Sequence, residues 1–454
     1  MQAHRQIPTQ ALGHWLPKDR SIIAQWLAEQ VKNARQQEDE TLEPSLQKFK
    51  AVVEGDSALV KLANDMFTEV PNRDPYRQDP TGTSQIRSFN DLLITMNNVM
   101  KQGPQFFDKA EPKTAMGLVG FPINAILDWP MATKSGYYFF MEPKVNAALQ
   151  AVLNSWGTFL KLPESQACLN GWLSTDGRNL IAAKGNDGKT SYTFDQMYMC
   201  NPSAPFLGFD TWDHFFTRQF RDGVRPVAAP DNAPPDVNIP NPTVVVNNAC
   251  ESAPLQCVKP VKWQDSFQLK GQPYSLGDML NYNKLAQQFI GGTVYQAFLS
   301  ALSYHRWHAP VSGTVVDIEI IPGTYYSENM YEGFMGKPDD PDPAAPNYSQ
   351  PYISAVATRG IIYIRADNPL IDLMAIVFIG MAEVSSCEFT VTTGSHITKG
   401  QEIGMFHCGG SSHCMVFQPG IDLNFVTAPP WDMDTEYNFM VNNALAVVTN
   451  SKDT

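Results

Sequence analysis

Positive charge, long apolar runs and patterned cysteine are what this 454-residue sequence lacks. Lys and Arg number 33 against 46 Asp and Glu, a formal net charge of −13. That balance leaves nothing to neutralise a nucleic-acid backbone, so no nucleic-acid partner is expected. It also disfavours docking on an anionic membrane surface. The longest apolar run, Leu373 to Ala382 (LMAIVFIGMA), is about half of what a membrane span needs, so it reads as a buried strand and no stable membrane insertion is expected. The first twenty residues carry no apolar h-region from which to read a signal peptide. Cys168, Cys200, Cys250, Cys257, Cys387, Cys408 and Cys414 are odd in number and follow no framework spacing. Free thiols in a reducing, cytoplasmic compartment are expected. There is no Gly-rich phosphate loop, dinucleotide fingerprint, CxxC pair or GxSxG elbow, nor any internal repeat.

What is present is a globular composition of 43% hydrophobic, 17% charged and 11% aromatic residues. The length suits about two or three domains. Apolar residues recur at helical spacing in the first two hundred residues: Ile22, Ile23, Trp26, Leu27 and Val31, then Leu46, Phe49, Val53, Leu59, Leu62, Met66 and Phe67, then Val145, Leu149, Val152, Leu153 and Trp156. Composition shifts at Pro226, where RPVAAPDNAPPDVNIPNP can be neither helix nor central strand. Beyond it, runs rich in β-formers (Thr243 to Val246, Thr314 to Ile321, Ile361 to Arg365, Leu373 to Ile379, Glu388 to Thr392) are punctuated by Gly and Pro. The expected class is α+β, with a helical region over 1–205 and a β-rich domain over 206–454. A second proline-rich stretch after Gly336, KPDDPDPAAPNYSQP, reads as a lid or a partly ordered loop.

Chemistry-bearing residues concentrate in two segments, Tyr304 to Thr314 (YHRWHAPVSGT) and Gly404 to Cys414 (GMFHCGGSSHC), which hold four of the eight histidines. Three readings of these residues stay open. His305, His308, His407, Cys408, His413 and Cys414 have the donor types of a zinc site, though without a standard spacing. A serine activated by a histidine base is the second. The third is purely structural, a hairpin turn at Gly409 to Ser412 with buried, hydrogen-bonded histidines.

FFTRQFRDGVRPV (Phe215 to Val227), YHRWHAPVSGTV (Tyr304 to Val315), VFIGMAEVSSCE (Val377 to Glu388) and GSHITKGQEIGMFHCGGSS (Gly394 to Ser412) together resemble the pyruvoyl-dependent phosphatidylserine decarboxylase family, in family order over roughly residues 210 to 420. SWGTFLKL (Ser155 to Leu162), GWLS (Gly171 to Ser174) and KGQPYSL (Lys270 to Leu276) extend the likeness to the soluble fungal branch that decarboxylates tryptophan, as in psilocybin biosynthesis. The resemblance implies that Ser411 Oγ attacks the carbonyl of Gly410 and that the chain breaks between them. Ser411 then becomes a pyruvoyl group heading the shorter of two chains, which stay associated. Neither pyridoxal phosphate nor a metal is implied. A glycine pair before the serine suits a strained backbone with an accessible carbonyl. His308 matches the family's base for self-cleavage, and His305 the histidine that assists decarboxylation and reprotonation. The family has Ala-Asp-Gly where this chain reads Ala249-Cys250-Glu251. Either Glu251 orients His308 from one residue along, or no carboxylate does.

The substrate implied is a small molecule, a free aromatic L-amino acid and foremost L-tryptophan. Phosphatidylserine is the alternative substrate, and a degenerate relative that only binds is weakened by the intact Gly410-Ser411 and both histidines. Trp307, Tyr325 and Tyr326 can be read as walls of an indole pocket or as core.

Overall fold

The computed structural model describes residues 20–36, 41–71, 86–107, 117–235, 241–265, 274–339, 348–383, 386–427, 429, 431 and 437–450. These fall into two compact units. One takes residues up to 177 with 209–212 and 324–353, and the other takes 178–208, 213–323 and 354 onwards. The proline-rich stretches are only partly covered, since 236–240 and 340–347, where the lid was expected, lie outside the described residues.

The first unit is helical: α1 (Arg20–Gln36), α2 (Pro44–Glu54), α3 (Ser57–Thr68), α4 (Phe89–Val99), a small ladder of β1 (Gln105–Phe107) and β2 (Gly117–Val119), then α5 (Pro122–Ala132), α6 (Lys134–Met141) and α7 (Pro143–Leu160). Most of the expected apolar stripe is core, with Ile23, Trp26, Leu27, Val31, Leu46, Phe49, Val53, Leu59, Met66 and Phe67 buried and Leu62 half-buried. Val145, Leu149, Val152, Leu153, Trp156 and Leu160 of α7 are all buried, and α7 packs on α2 as α6 does on α3 and α4 on α1. Caps set the helix starts. Asp56 accepts from the Ala58 N–H at 3.0 Å, Ser88 from Asp91 N–H at 3.0 Å, and Thr133 from Gly136 N–H at 3.0 Å. The apolar residues from Leu46 to Phe67 fall on two helices, divided by Gly55 and the Asp56 cap.

The second unit holds β3 (Val245–Asn247), β4 (Ala253–Val258), β5 (Thr293–Leu299), β6 (Arg306–His308), β7 (Gly313–Ile321), β8 (Arg359–Ala366), β9 (Leu373–Gly380), β10 (Ser386–Phe389), β11 (His396–Ile397), β12 (Glu402–His407), β13 (Ser411–Phe417), β14 (Ile421–Phe425) and β15 (Ala444–Asn450). A seven-stranded antiparallel sheet runs in the order β11-β7-β8-β9-β13-β5-β4, beside three-stranded sheets β10-β12-β6 and β14-β15-β3. The run expected as a buried strand is β9, with all eight residues buried. No helix among the described residues is long and apolar enough to cross a membrane.

Candidate active site

Ser411 opens β13 in the middle of the large sheet, opposite Leu299 of β5 on one side and Gly380 of β9 on the other. It is wholly buried, and its Oγ has no hydrogen-bond partner among the described residues. Its register partner on β9 is a glycine, so that strand sets no side chain beside the hydroxyl. Successive residues of a strand face opposite ways. Ser412 therefore turns to the other face, where Gln296 Nε2 donates to its Oγ at 3.3 Å and Gln296 Oε1 accepts from the Tyr274 hydroxyl at 2.5 Å. One serine is tethered and its neighbour is not.

Between β12 in a small sheet and β13 in the large one, the chain turns through Cys408 (φ 57°) and Gly409 (φ 81°). The first is a left-handed conformation that an L side chain adopts at a cost, and the second is natural only to glycine. His407, the last residue before the turn, sets Nδ1 2.8 Å from Asp213 Oδ1 and Nε2 2.8 Å from Glu388 Oε2. After the turn, the Met381 N–H donates to the Gly410 carbonyl oxygen at 3.0 Å. Attack on that carbonyl would place negative charge on the oxygen that already has a donor aimed at it, the arrangement that stabilises tetrahedral intermediates. A pyruvoyl group made from residue 411 needs a buried hydroxyl beside a polarised carbonyl. These residues fit it.

The two histidines of the YHRWH element lie in different places. The Phe406 N–H donates to the His305 carbonyl at 3.1 Å, so register carries His305 toward the turn that precedes Ser411. The His305 ring is wholly buried and stacks on Phe216 with centroids 4.1 Å apart. Burial, then the charge of Arg218, press its pKa well below the usual histidine range, against a hydrogen bond with the Ser300 backbone. Arg218 itself donates to the carbonyls of Leu302 and Ser303 at 2.9 Å, which fixes the loop leading into His305. His308 is paired with Glu402 at the other end of β12 and faces the opposite side of β6 from Trp307. Its Nδ1 donates to the Gly400 carbonyl at 2.8 Å, which leaves Nε2 as the basic nitrogen, 3.0 Å from the Tyr304 hydroxyl that donates to it. Burial lowers its pKa, and the Gly400 hydrogen bond works in the other direction. His308 lines a cleft of about 340 Å³ with Tyr304, Arg225 and Glu402.

Glu251 is spent elsewhere. One of its carboxylate oxygens accepts from Arg225 Nε at 2.5 Å and the Val441 N–H at 3.0 Å, and the other accepts from Arg225 Nη2 at 3.3 Å and Asn438 Nδ2 at 2.5 Å. The hydrogen bond that orients His308 comes from the Gly400 carbonyl instead, and Glu251 raises the His308 pKa only by its charge. Cys250 is buried with its thiol pKa pushed well up, so it is no anionic substitute for an aspartate.

Trp307 is core. Its ring lies flat on Phe378 at 3.8 Å and edge-on to Phe406 at 4.7 Å. Tyr325 and Tyr326 belong to the first unit, where Tyr326 meets Phe140 and the Tyr325 N–H donates to Asn146. The residues read as zinc donors are dispersed, and no group of three or more His, Cys, Asp or Glu that could hold a metal occurs among the described residues.

Comparison with known proteins adds to this geometry. The family described as phosphatidylserine decarboxylase matches residues 212–429, and a second family of the same description matches 43–181. Decarboxylase iboD of Amanita muscaria is 39% identical over 72% of this chain and 91% of its own length. An L-tryptophan decarboxylase of Psilocybe cubensis is 32% identical over 88% of this chain and 87% of its own. The chain belongs to the phosphatidylserine decarboxylase family. A phosphatidylserine decarboxylase proenzyme of Anoxybacillus flavithermus, at 28% identity, matches only 50% of this chain. As a member of the family, the protein is a carboxy-lyase.

Several groups of this decarboxylase's site were not found from sequence. The Met381 N–H and the Gly400 carbonyl are main-chain atoms, which no side-chain pattern marks. Tyr304 was within the quoted motif, yet only the fold sets its hydroxyl on His308. His413 was counted as a metal donor and is instead a buried ring on the Ser411 face of β13.

Proposed function

We propose that this decarboxylase is pyruvoyl-dependent, acts on a free aromatic L-amino acid, L-tryptophan foremost, and is matured by self-cleavage between Gly410 and Ser411. The observation that carries the reading is the buried, unpartnered Ser411 hydroxyl beside a carbonyl that already accepts the Met381 N–H. The Psilocybe relative named for tryptophan spans both units of the chain, whereas the phosphatidylserine relative covers half, which favours the soluble substrate.

In this reading Ser411 Oγ attacks the Gly410 carbonyl carbon while the Met381 N–H holds the developing oxyanion. The role of maturation base falls to His308 by resemblance alone: with its Nδ1 proton fixed on Gly400, it takes up a proton only at Nε2, which must first release the Tyr304 hydroxyl. His305, the ring that register brings toward the turn, remains neutral by burial and serves the substrate, accepting or returning a proton at its reacting carbon. The pyruvoyl group supplies the electron sink for the pair left by departing CO₂. The domain division expected over 1–205 and 206–454 remains a proposal about which part folds around this site. A cytoplasmic location is likewise proposed, on the acidic balance and cysteine usage.

Denaturing mass spectrometry of the purified protein, followed by amine release from L-tryptophan and from phosphatidylserine vesicles, tests this. Two chains, one ending at Gly410 and one with a blocked N-terminus, and turnover of tryptophan without lipid or detergent are expected. An uncut chain in fully active protein overturns the pyruvoyl reading. Turnover of the vesicles alone moves the substrate to phosphatidylserine.

A further inference from the structure

Two polar groups on the Ser411 face of β13 have no use in the reaction as proposed. His413 lies two residues beyond Ser411 and so shares its face. It is wholly buried, and neither ring nitrogen has a hydrogen-bond partner among the described residues. Tyr295 of β5, opposite Met415 and therefore on the same face, is also wholly buried, and its hydroxyl is unpartnered in the same sense. The two rings stand 6.1 Å apart. Tyr295 is in turn 5.9 Å from Phe425 and 6.3 Å from Trp431, which are 5.2 Å from each other. Tyr295, Phe425 and Trp431 thus form an aromatic cluster beside His413, and neither the His413 ring nor the Tyr295 hydroxyl is satisfied among the described residues.

Buried polar atoms in folded proteins almost always have partners, because an unmade hydrogen bond is costly. Apolar residues of similar shape would fill this place without that cost. Burial also holds the His413 pKa down at about 3, so the ring is neutral and always offers one accepting nitrogen. From Ser411 to His413 along one face of a strand is about 6.6 Å, comparable with the length of a tryptophan side chain.

We propose that His413, with the Tyr295 hydroxyl beside it, is the specificity-determining polar end of the site for the substrate's ring. That ring carries an N–H donor, as indole does, and lies against Phe425 and Trp431. This rests on the reading of the substrate as a free aromatic amino acid. An apolar benzyl ring would leave the His413 acceptor unmade, and sites built around a hydrogen bond reject analogues that lack it far more strongly than apolar pockets reject a missing methylene.

The test uses indole and 1-methylindole, which have no amine and so bind without reacting, titrated calorimetrically into the self-cleaved wild-type protein. Indole is expected to bind at least about ten-fold more tightly than its N-methyl form. His413→Phe should bring the two within about two-fold, and His413→Asn, which keeps an acceptor, should retain part of the preference. Equal affinity for the two rings in the wild type, or binding of neither, overturns the proposal, and that comparison does not depend on any variant folding. Amine release from L-tryptophan and L-phenylalanine is measured alongside. An indole preference that depends on His413, with no turnover of either amino acid, would sink the proposed reaction and leave the ring site standing.

Discussion

Ser411 and Ser412 carry the same hydroxyl and differ in which side of β13 they face. Ser411→Ala should leave the full-length chain uncut and inactive, while Ser412→Ala, which loses only the Gln296 contact, should still cleave. Denaturing electrophoresis reads both, and a block by Ser412→Ala alone would move the cleavage one residue along. Glu251 gives a second test. It compensates a buried arginine, and removing one member of such a pair costs about 3–5 kcal/mol. Glu251→Gln should therefore lower the urea midpoint sharply, while whatever folds still cleaves, since the His308 ring rests on Gly400. A stable but uncut Glu251→Gln protein would return Glu251 to the orienting role. His308→Ala should fold and remain uncut, and His305→Ala should cut and turn over poorly. The opposite pattern would exchange their roles. Ser411 could be singled out because its neighbours make a specific motif. The duty of Glu251 was not, since its partners Asn438 and Val441 are nearly two hundred positions away and only the fold unites them.

At the scale of elements, β9 could be read directly, because eight consecutive buried positions demand eight apolar or small residues. β13 could not. SSHCMVF shows no alternation and begins with three polar residues, yet all seven are buried because strands flank it and both sheet faces are covered. The strand expected at Thr243 starts two residues late, since Pro242 has no N–H for a ladder and the Asn241 side chain caps a short 3₁₀ turn. The turn before β13 is the element most open to test. Gly409 sits at φ 81°, where a Cβ adds about 1–2 kcal/mol of strain. Gly409→Ala should shift the Gly410 carbonyl off the Met381 N–H and slow precursor conversion by about ten-fold. Unchanged conversion kinetics would show that the turn geometry does not matter to the cut.

Across the whole molecule, the helical and β-rich regions followed from the switch of hydrophobic period, whereas the segments 209–212 and 324–353 join the helical unit by long-range contact that no local pattern announces. The buried histidines give the protein a pH signature. His305, His308 and His413 all have pKa values lowered from 6.5, so both folded and unfolded states are neutral above that pH. Below it the unfolded chain takes up protons that the folded chain refuses, and stability falls as the pH falls. With a folded pKa of about 3, His413 alone accounts for about 2 kcal/mol by about pH 5. The urea midpoint should drop steeply between about pH 6.5 and 5, and less steeply in His413→Phe. An equal slope in the two proteins would mean that His413 titrates normally.

β13 is paired on both sides, with β5 and β9, and both of those strands precede the cut. On the proposed cleavage, the short chain would enter the sheet while still tethered, and the bond that delivered it would be severed afterwards. Synthesis of the two pieces apart should give inclusion bodies or inert protein, because a strand flanked on both sides must form both ladders to enter the sheet. In the proposed cleavage the Ser411 hydroxyl oxygen leaves with Gly410 as part of its new carboxylate, so no nucleophile remains and the event would run once per molecule. On that reading each copy of the protein would carry a single, non-renewable charge of its prosthetic group, and its working life would end when that group is spent.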